Sequence, residues 1–235
     1  MSSMRSCLIV PNSSISDRMF TSGAGALIFD FADTQAMERH ASLLRRAREA
    51  NCPSPLLVRL PGLDDPFFDP ALEALRATPP EGVVLQAAEG AASVQQLGSR
   101  LAVFEAEAGA ADGATRIVAE LSTPSGVLSS ATLAGSSKRL QAVLFGRAAL
   151  ALALGTDEAS APVESARALL ILAAAAAGAH ALDAPCRDPA KLEEECLAAR
   201  RDGFFGKCAA SEDDIGVIER LFGAPDAEKS PHSAR

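Results

Sequence analysis

The chain has 235 residues, of which 48% are hydrophobic and 4% aromatic, with ten Phe, no Trp or Tyr, and a formal net charge of −8. That length and apolar content suffice for one large core of aliphatic residues and Phe. The negative balance and the lack of a basic stripe exclude nucleic acid as a partner, because phosphate backbones are held by clustered Lys and Arg that displace counterions.

Five cysteines, an odd number without a CxxC pair, imply reduced thiols and a cytoplasmic chain, and argue against a disulfide framework or a zinc site. Residues 1–5 hold no long apolar stretch ahead of a cleavage site, so no secretory signal is expected. The run 7–10 is continuously apolar and predicts a strand, with Cys7 as a small core residue. A second run, 26–31, precedes an amphipathic helix over 35–50, where Arg45, Arg46 and Arg48 form a solvated face and His40 lies on a helix face. Strand 56–60 leads to a helix over 70–77, started by Asp69 as N-cap with Pro70 at the first position. Strand 82–85, helix 91–108, strand 116–121 and helix 126–134 follow, then strand 141–145 and a helix over 162–177. The run 166–179 is too short and too alanine-rich to span a bilayer, and predicts a buried helix. The last elements are strand 179–182 with His180 as a satisfied core residue, helix 189–202 capped by Asp188, strand 204–208 with Cys208 in the core, and helix 211–221. Ser211 and Asp214 make a capping-box variant at the start of that helix. The tail 224–235 is small, charged and proline-containing, and is expected to be disordered.

Continuously apolar strands without period-2 alternation belong in a parallel sheet covered on both faces. Eight of them alternating with helices predict an α/β protein with a single closed (β/α)8, TIM-type barrel over 1–223. An open doubly wound sheet would usually carry a glycine-rich turn, and neither GxGxxG nor GxxxxGK[ST] occurs. In closed barrels the chemistry sits at the C-terminal ends of the strands. Those ends carry Asp30, Asp33, Arg59, Glu89, Ser122, Arg147, Asp183 and Lys207, which are expected to point into one mouth fit for a small anionic, metal-bridged ligand. The guanidinium of Arg59 suits bidentate carboxylate or phosphate recognition; its alternative is an ion pair with Asp30, Asp33 or Glu89. Asp183 reads as a buttress of the rim and Lys207 as half of a salt bridge. Ser122 has no base to make it a nucleophile, since His40, His180 and His232 all fall away from the strand ends.

Several segments, in order, resemble the citrate lyase β-subunit and HpcH/HpaI aldolase family. Arg5-Ser6-Cys7-Leu8-Ile9-Val10-Pro11 is similar to its RS-L-x-V-P start, and Gly25 to Asp33 to its GAD-x-(I/L)-LDLEDAV strand. Val58-Arg59-Leu60-Pro61 resembles VRxN, and Gly82-Val83-Val84-Leu85-Gln86-Ala87-Ala88-Glu89 resembles GVVLPKVE. Ser122-Thr123-Pro124-Ser125-Gly126-Val127 stands where ETAxGV is expected, and Phe145-Gly146-Arg147-Ala148-Ala149-Leu150 where FGxEDL is expected. Ala181-Leu182-Asp183 resembles the (A/P)xD strand, and Gly203 to Lys207 resembles GFxGK. The resemblance implies a TIM-type barrel, homotrimeric or hexameric assembly, and Mg²⁺-dependent carbon–carbon cleavage of 2-keto-acid or acyl-CoA substrates, with the metal polarising a carbonyl. It also implies that the metal-holding carboxylates would stand at 122 and 149, where this chain has Ser122 and Ala149. A hydroxyl and a methyl do not supply the anionic oxygens a hard cation needs, so metal binding is expected to be lost. Glu120, or Asp30, Asp33 and Glu89 together, are the candidates for a displaced metal site. A small carboxylate or acyl-CoA is the expected ligand, with Arg59, Glu89, Asp30, Asp33, Ser122 and Arg147 as the site.

Overall fold

The computed structural model describes residues 4–10, 17–31 and 34–223. Eight parallel strands close into one barrel in sequential order. They are β1 (Ser6–Ile9), β2 (Ala26–Asp30), β3 (Leu56–Leu60), β4 (Gly82–Leu85), β5 (Arg116–Leu121), β6 (Leu140–Phe145), β7 (His180–Asp183) and β8 (Gly206–Ala209). The barrel closes where β8 pairs with β1, with Cys7 opposite Cys208. Among the described residues eight α-helices surround it: α1 (Thr34–Glu49), α2 (Phe68–Ala74), α3 (Gly90–Glu107), α4 (Pro124–Ser129), α5 (Arg147–Leu154), α6 (Ala161–Ala177), α7 (Leu192–Asp202) and α8 (Glu212–Gly223). The spacing is uneven. Within the described part of the β1–β2 connection there is only the 3-10 turn Asp17–Thr21, whereas two helices follow β6.

The apolar pattern of the strands has a direct cause. Successive side chains alternate between the barrel interior and the helix layer, and both are dry. Cys7, Ile28, Leu57, Val84, Val118 and Leu182 fill the interior, while Leu8, Phe29, Val58, Val83, Ile117 and Val143 pack outward under the helices. Each such burial contributes about 1.5–3 kcal/mol, so the two layers together carry the fold. Several interior residues are small: Ala26, Ala142, Cys7 and Cys208 are all fully buried there. That is how a core without Trp or Tyr fills the barrel.

Polar groups close the elements. Asp188 caps its turn by accepting from Ala190 N at 3.1 Å. Half of the capping box at α8 is made: Asp214 Oδ2 accepts from the backbone N–H of Ala210 and Ser211, each at 3.0 Å, while the Asp214 N–H donates to the Ser211 carbonyl. At the opposite end from the strand termini, Arg139 donates to both oxygens of buried Glu105 at 2.7 and 2.8 Å, and Glu105 also accepts from the N–H groups of Thr115 and Gly113. Burial opposes the Glu105 charge, but Arg139 and the two N–H groups override it and hold the carboxyl at about 2.

Several expectations are corrected. Asp69 is not an N-cap: α2 begins one residue earlier at Phe68, with Phe67 as an uncapped N-cap position, and Asp69 pairs with Arg100. The helix spanning 166–177 buries only one face, leaving Leu169 44% and Leu172 66% exposed, because alanine makes its two faces look alike in the sequence. His180 is exposed at the start of β7, and its ring stacks on Phe205 at 3.7 Å. Helix α5 was hidden in a short run, Arg147–Leu154, with no capping side chain. The expected disordered tail, 224–235, lies outside the described residues.

Candidate functional site

The mouth is built from the last residues of β2, β3, β4, β5 and β6. Register places Asp30 beside Arg59. Arg59 donates through Nη2 to Asp30 Oδ2 at 2.6 Å, and its Nη1 lies 3.6 Å from Glu120 Oε2 on β5. All three are largely buried, with side-chain exposures of 18, 14 and 8%. Burial would strip the guanidinium of its proton, but Glu120 and Asp30 more than offset this and hold it firmly charged. Glu120 titrates above the ordinary carboxyl range: burial raises it, Asp30 adds to the rise, and Arg59 opposes it. Asp30 Oδ1, Arg59 Nε and Glu120 Oε2 are buried without hydrogen-bond partners. The triad therefore keeps open donor and acceptor positions.

Asp30 is held from behind. Its backbone N–H donates at 2.7 Å to Nδ1 of His40 on α1, a fully buried imidazole whose pKa burial lowers. The helix face that carries His40 is thus packed onto the strand, and Nδ1 of the neutral ring accepts a hydrogen bond there.

Glu120 and Ser122 face the same side, two residues apart along β5 and its extension. Gly146 lets β6 approach them: a Cβ there would sit 2.5 Å from Ser122 Cβ and 3.0 Å from Glu120 Oε1. The Ser122 hydroxyl accepts from Ala87 N at 3.2 Å, and Ala87 itself holds a left-handed backbone, φ 50°. Such a conformation is costly for a side-chain-bearing residue and concentrates at functional loops.

Two connected lobes open above this floor. One, of about 330 Å³, includes Arg59, Glu120, Arg147 and Arg187 in its lining, with Leu144 and Ile9 as apolar walls. The other, of about 610 Å³, is lined by Asp64, Asp65, Glu89, Glu120, Ser122 and Ala149 among others. Gln86, Glu120 and Ala149 belong to both. Glu89 precedes α3 and is exposed at the rim. Asp33 lies outside the described residues.

The sequence placed eight side chains in the mouth, and two of them are elsewhere. Leu182 and Cys208 face the barrel interior, so by alternation their neighbours Asp183 and Lys207 face the helix layer. There Lys207 Nζ donates to Asp183 at 2.8 Å and to Glu195 at 2.9 Å. Arg147, the first residue of α5, lines the mouth but pairs backward with Asp183 at 3.3 Å and Glu195 at 3.7 Å. Burial disfavours the charge on fully enclosed Lys207, and the two carboxylates outweigh it, so its pKa is raised. This network ties α5, α7, β7 and β8 together. Gln86, Asp64, Asp65, Arg187 and the His40 support were not singled out from the sequence. The first four follow strand ends, and that position was the available signal.

A closed parallel barrel with charged side chains gathered at its strand ends is the architecture in which barrel enzymes place their sites. A sequence model of the HpcH/HpaI aldolase/citrate lyase family matches residues 7–207, and the chain belongs to that family. Citrate lyase subunit beta of Escherichia coli strain K12 is 27% identical over 244 residues, covering 98% of this chain and 80% of the relative. The crystal structure of RipC from Yersinia pestis is 30% identical, with a TM-score of 0.75 over 95% of this chain and 96% of that one. The protein CitE from Mycobacterium tuberculosis, in complex with magnesium, acetoacetate and coenzyme A, shares the fold at 22% identity, with a TM-score of 0.74 over 96% of this chain and 83% of that one.

Proposed function

We propose that this chain is a carboxylate-binding member of the family in which the metal-dependent lyase chemistry has been lost. The observation that carries the reading is the Arg59 triad at the strand ends, together with the side chains at 122 and 149. Both of those positions line the mouth, and they present a hydroxyl already accepting from Ala87 N and a methyl. Magnesium wants carboxylate oxygens in a near-octahedral shell. The residues at these positions do not fit it, and Asp30 and Glu120 face a guanidinium instead. Among the described residues no three His, Cys, Asp or Glu side chains come close enough to hold a metal ion.

In this reading Arg59 binds the ligand carboxylate, and Asp30 and Glu120 hold the guanidinium in place. The smaller lobe next to them, where Arg59, Arg147 and Arg187 stand beside Glu120 and Glu158, accommodates a small keto acid or the acyl end of an acyl-CoA. Exposed Leu128, Leu152 and Leu172 support assembly into a homotrimer, since large apolar side chains at a surface are commonly covered by a partner. A second reading has one observation in its favour: Glu120 Oε2 is buried without a hydrogen bond, which suits a rearranged metal site and an active lyase.

The test is calorimetric titration of oxaloacetate into wild type and Arg59→Lys, with chelator present throughout. The proposal expects saturable binding to wild type and none to Arg59→Lys, because lysine is a point charge and lacks the planar fork. Binding only after Mn²⁺ is supplied would favour the second reading.

A further inference from the structure

The charges around the smaller lobe are engaged with one another. Arg59 is paired with Asp30 at 2.6 Å, Arg187 with Glu158 at 2.5 Å, and Arg147 with Asp183 at 3.3 Å. The rest of the wall is largely apolar, with Ile9, Leu144, Ala148, Ala184, Pro185 and Cys208. We infer that the site selects a monocarboxylic 2-oxo acid with a short aliphatic side chain, which lies in the smaller lobe while the amide of Gln86 holds the oxo group. The inference rests on the carboxylate-binding reading of Arg59 and narrows its ligand.

Three observations point to that class. Each arginine lining the smaller lobe already has a carboxylate partner, and the larger lobe is lined by Asp64, Asp65 and Glu89, which repel an anion. A second ligand carboxylate therefore gains in neither lobe. An aliphatic chain gains in the smaller one by leaving water. Leu144, Ala184 and Cys208 are buried in their own right, so that wall is formed before a ligand arrives. The third observation is Gln86. Val84, two residues earlier, faces the barrel interior, as do Leu57 and Val118, so by alternation Gln86 turns inward with Arg59 and Glu120. Arg59 is in register with Val84, which sets Gln86 one inward position nearer the mouth. Gln86 is half-buried and lines both lobes, and its side-chain amide makes no hydrogen bond among the described residues. A neutral N–H donor suits a carbonyl oxygen, as the neighbouring cation suits a carboxylate.

The experiment titrates three probes calorimetrically at neutral pH with chelator present: α-ketoisocaproate, oxaloacetate, and isocaproate, which lacks the oxo group. The proteins are wild type, Gln86→Leu, Ala148→Asp and Arg59→Lys. Gln86 is half-buried and Ala148 exposed in the first turn of α5, where a carboxylate suits the helix dipole, so those two variants should melt as wild type does. Expected in wild type is a preference of about tenfold for α-ketoisocaproate over oxaloacetate, since each buried methylene is worth about fourfold. Isocaproate should bind wild type severalfold more weakly than α-ketoisocaproate, the effect of one hydrogen bond, and Gln86→Leu should bind the two alike. Ala148→Asp, which puts a charge on the lobe wall, should weaken α-ketoisocaproate severalfold. Equal or tighter binding of oxaloacetate to wild type overturns the inference, as does an oxo preference that survives in Gln86→Leu, or undiminished α-ketoisocaproate binding by Ala148→Asp. Arg59→Lys reads the underlying proposal separately: loss of all three probes supports the carboxylate reading, and retention of all three overturns it. If no probe binds wild type, both proposals fall.

Discussion

Replacing Arg59 with alanine tests how the mouth is held together. The substitution removes the donor that reaches Asp30 at 2.6 Å and the positive charge 3.6 Å from Glu120, and leaves two largely buried carboxylates facing each other. Breaking a buried ion pair from one side costs about 3–5 kcal/mol, and the partial hydration of this cluster places the cost near the lower limit, about 3 kcal/mol. For a domain of this size that lowers the melting temperature by about 6–12 °C at neutral pH. The penalty should depend on pH with a defined sign. Glu120 titrates above its ordinary range because it is buried and beside Asp30, and Arg59 is what restrains it. A carboxyl whose folded-state value exceeds its unfolded value takes up its proton more readily when folded. Stability is therefore regained as pH falls through the raised value and lost as pH rises. Differential scanning calorimetry at pH 7 and pH 5 should show a smaller Arg59→Ala penalty at pH 5. Adding Glu120→Gln should restore part of the loss at pH 7, since it removes the charge left unpaired. An unchanged melting temperature in Arg59→Ala would refute the argument. So would a penalty indifferent to both pH and Glu120→Gln.

Glu105, held at about 2 against an ordinary 4.5, contributes up to about 3 kcal/mol above pH 5, and this is lost as pH falls from 4.5 toward 2. Urea unfolding should therefore show a gap between wild type and Glu105→Gln that shrinks to about half by pH 3. Gly146→Ala places a methyl 2.5 Å from Ser122 Cβ and should cost about 1–3 kcal/mol by overpacking, read as a lower urea midpoint with an unchanged slope. Lys207→Met removes the closest cation from Asp183 and Glu195, leaving them the longer contacts to Arg147 and Arg167, and should destabilise by about 3 kcal/mol, with ligand affinity changed far less than by Arg59→Lys.

The strands were legible because both their faces are buried: short runs of consecutive apolar residues, without alternation, fit a sheet dry on each side. All eight overlap the runs marked by apolarity alone. Helices were legible where a breaker or cap marked them, as at Asp188. Where none does, they were not: α5 begins at Arg147 without a capping side chain and lasts only eight residues. The mouth was partly legible, since strand-end position found Asp30, Arg59, Ser122 and Arg147. Lys207 is half of a salt bridge with Asp183, as expected, but the pair faces away from the mouth, because chain position tells which end of the barrel a residue occupies, while a one-residue phase decides whether it faces inward. That phase is set by packing of Leu182 and Cys208 in the interior. In the sequence Glu120 reads only as a substitute metal ligand, and its engagement with Arg59 depends on a register between β3, β4 and β5 that no local pattern encodes. The burial of His40 escaped notice because α1 is otherwise strongly polar, and one histidine among arginines reads as solvated.

Calorimetric titration of Mn²⁺ into the wild-type protein and into Ser122→Glu/Ala149→Asp, each with and without oxaloacetate, tests the central claim most directly. The account predicts no saturable uptake at micromolar strength by wild type under either condition, and a gain of such a site in the folded double variant. Micromolar binding of Mn²⁺ to the wild-type chain would contradict it, and would move Glu120 from the partner of Arg59 to a ligand of the metal.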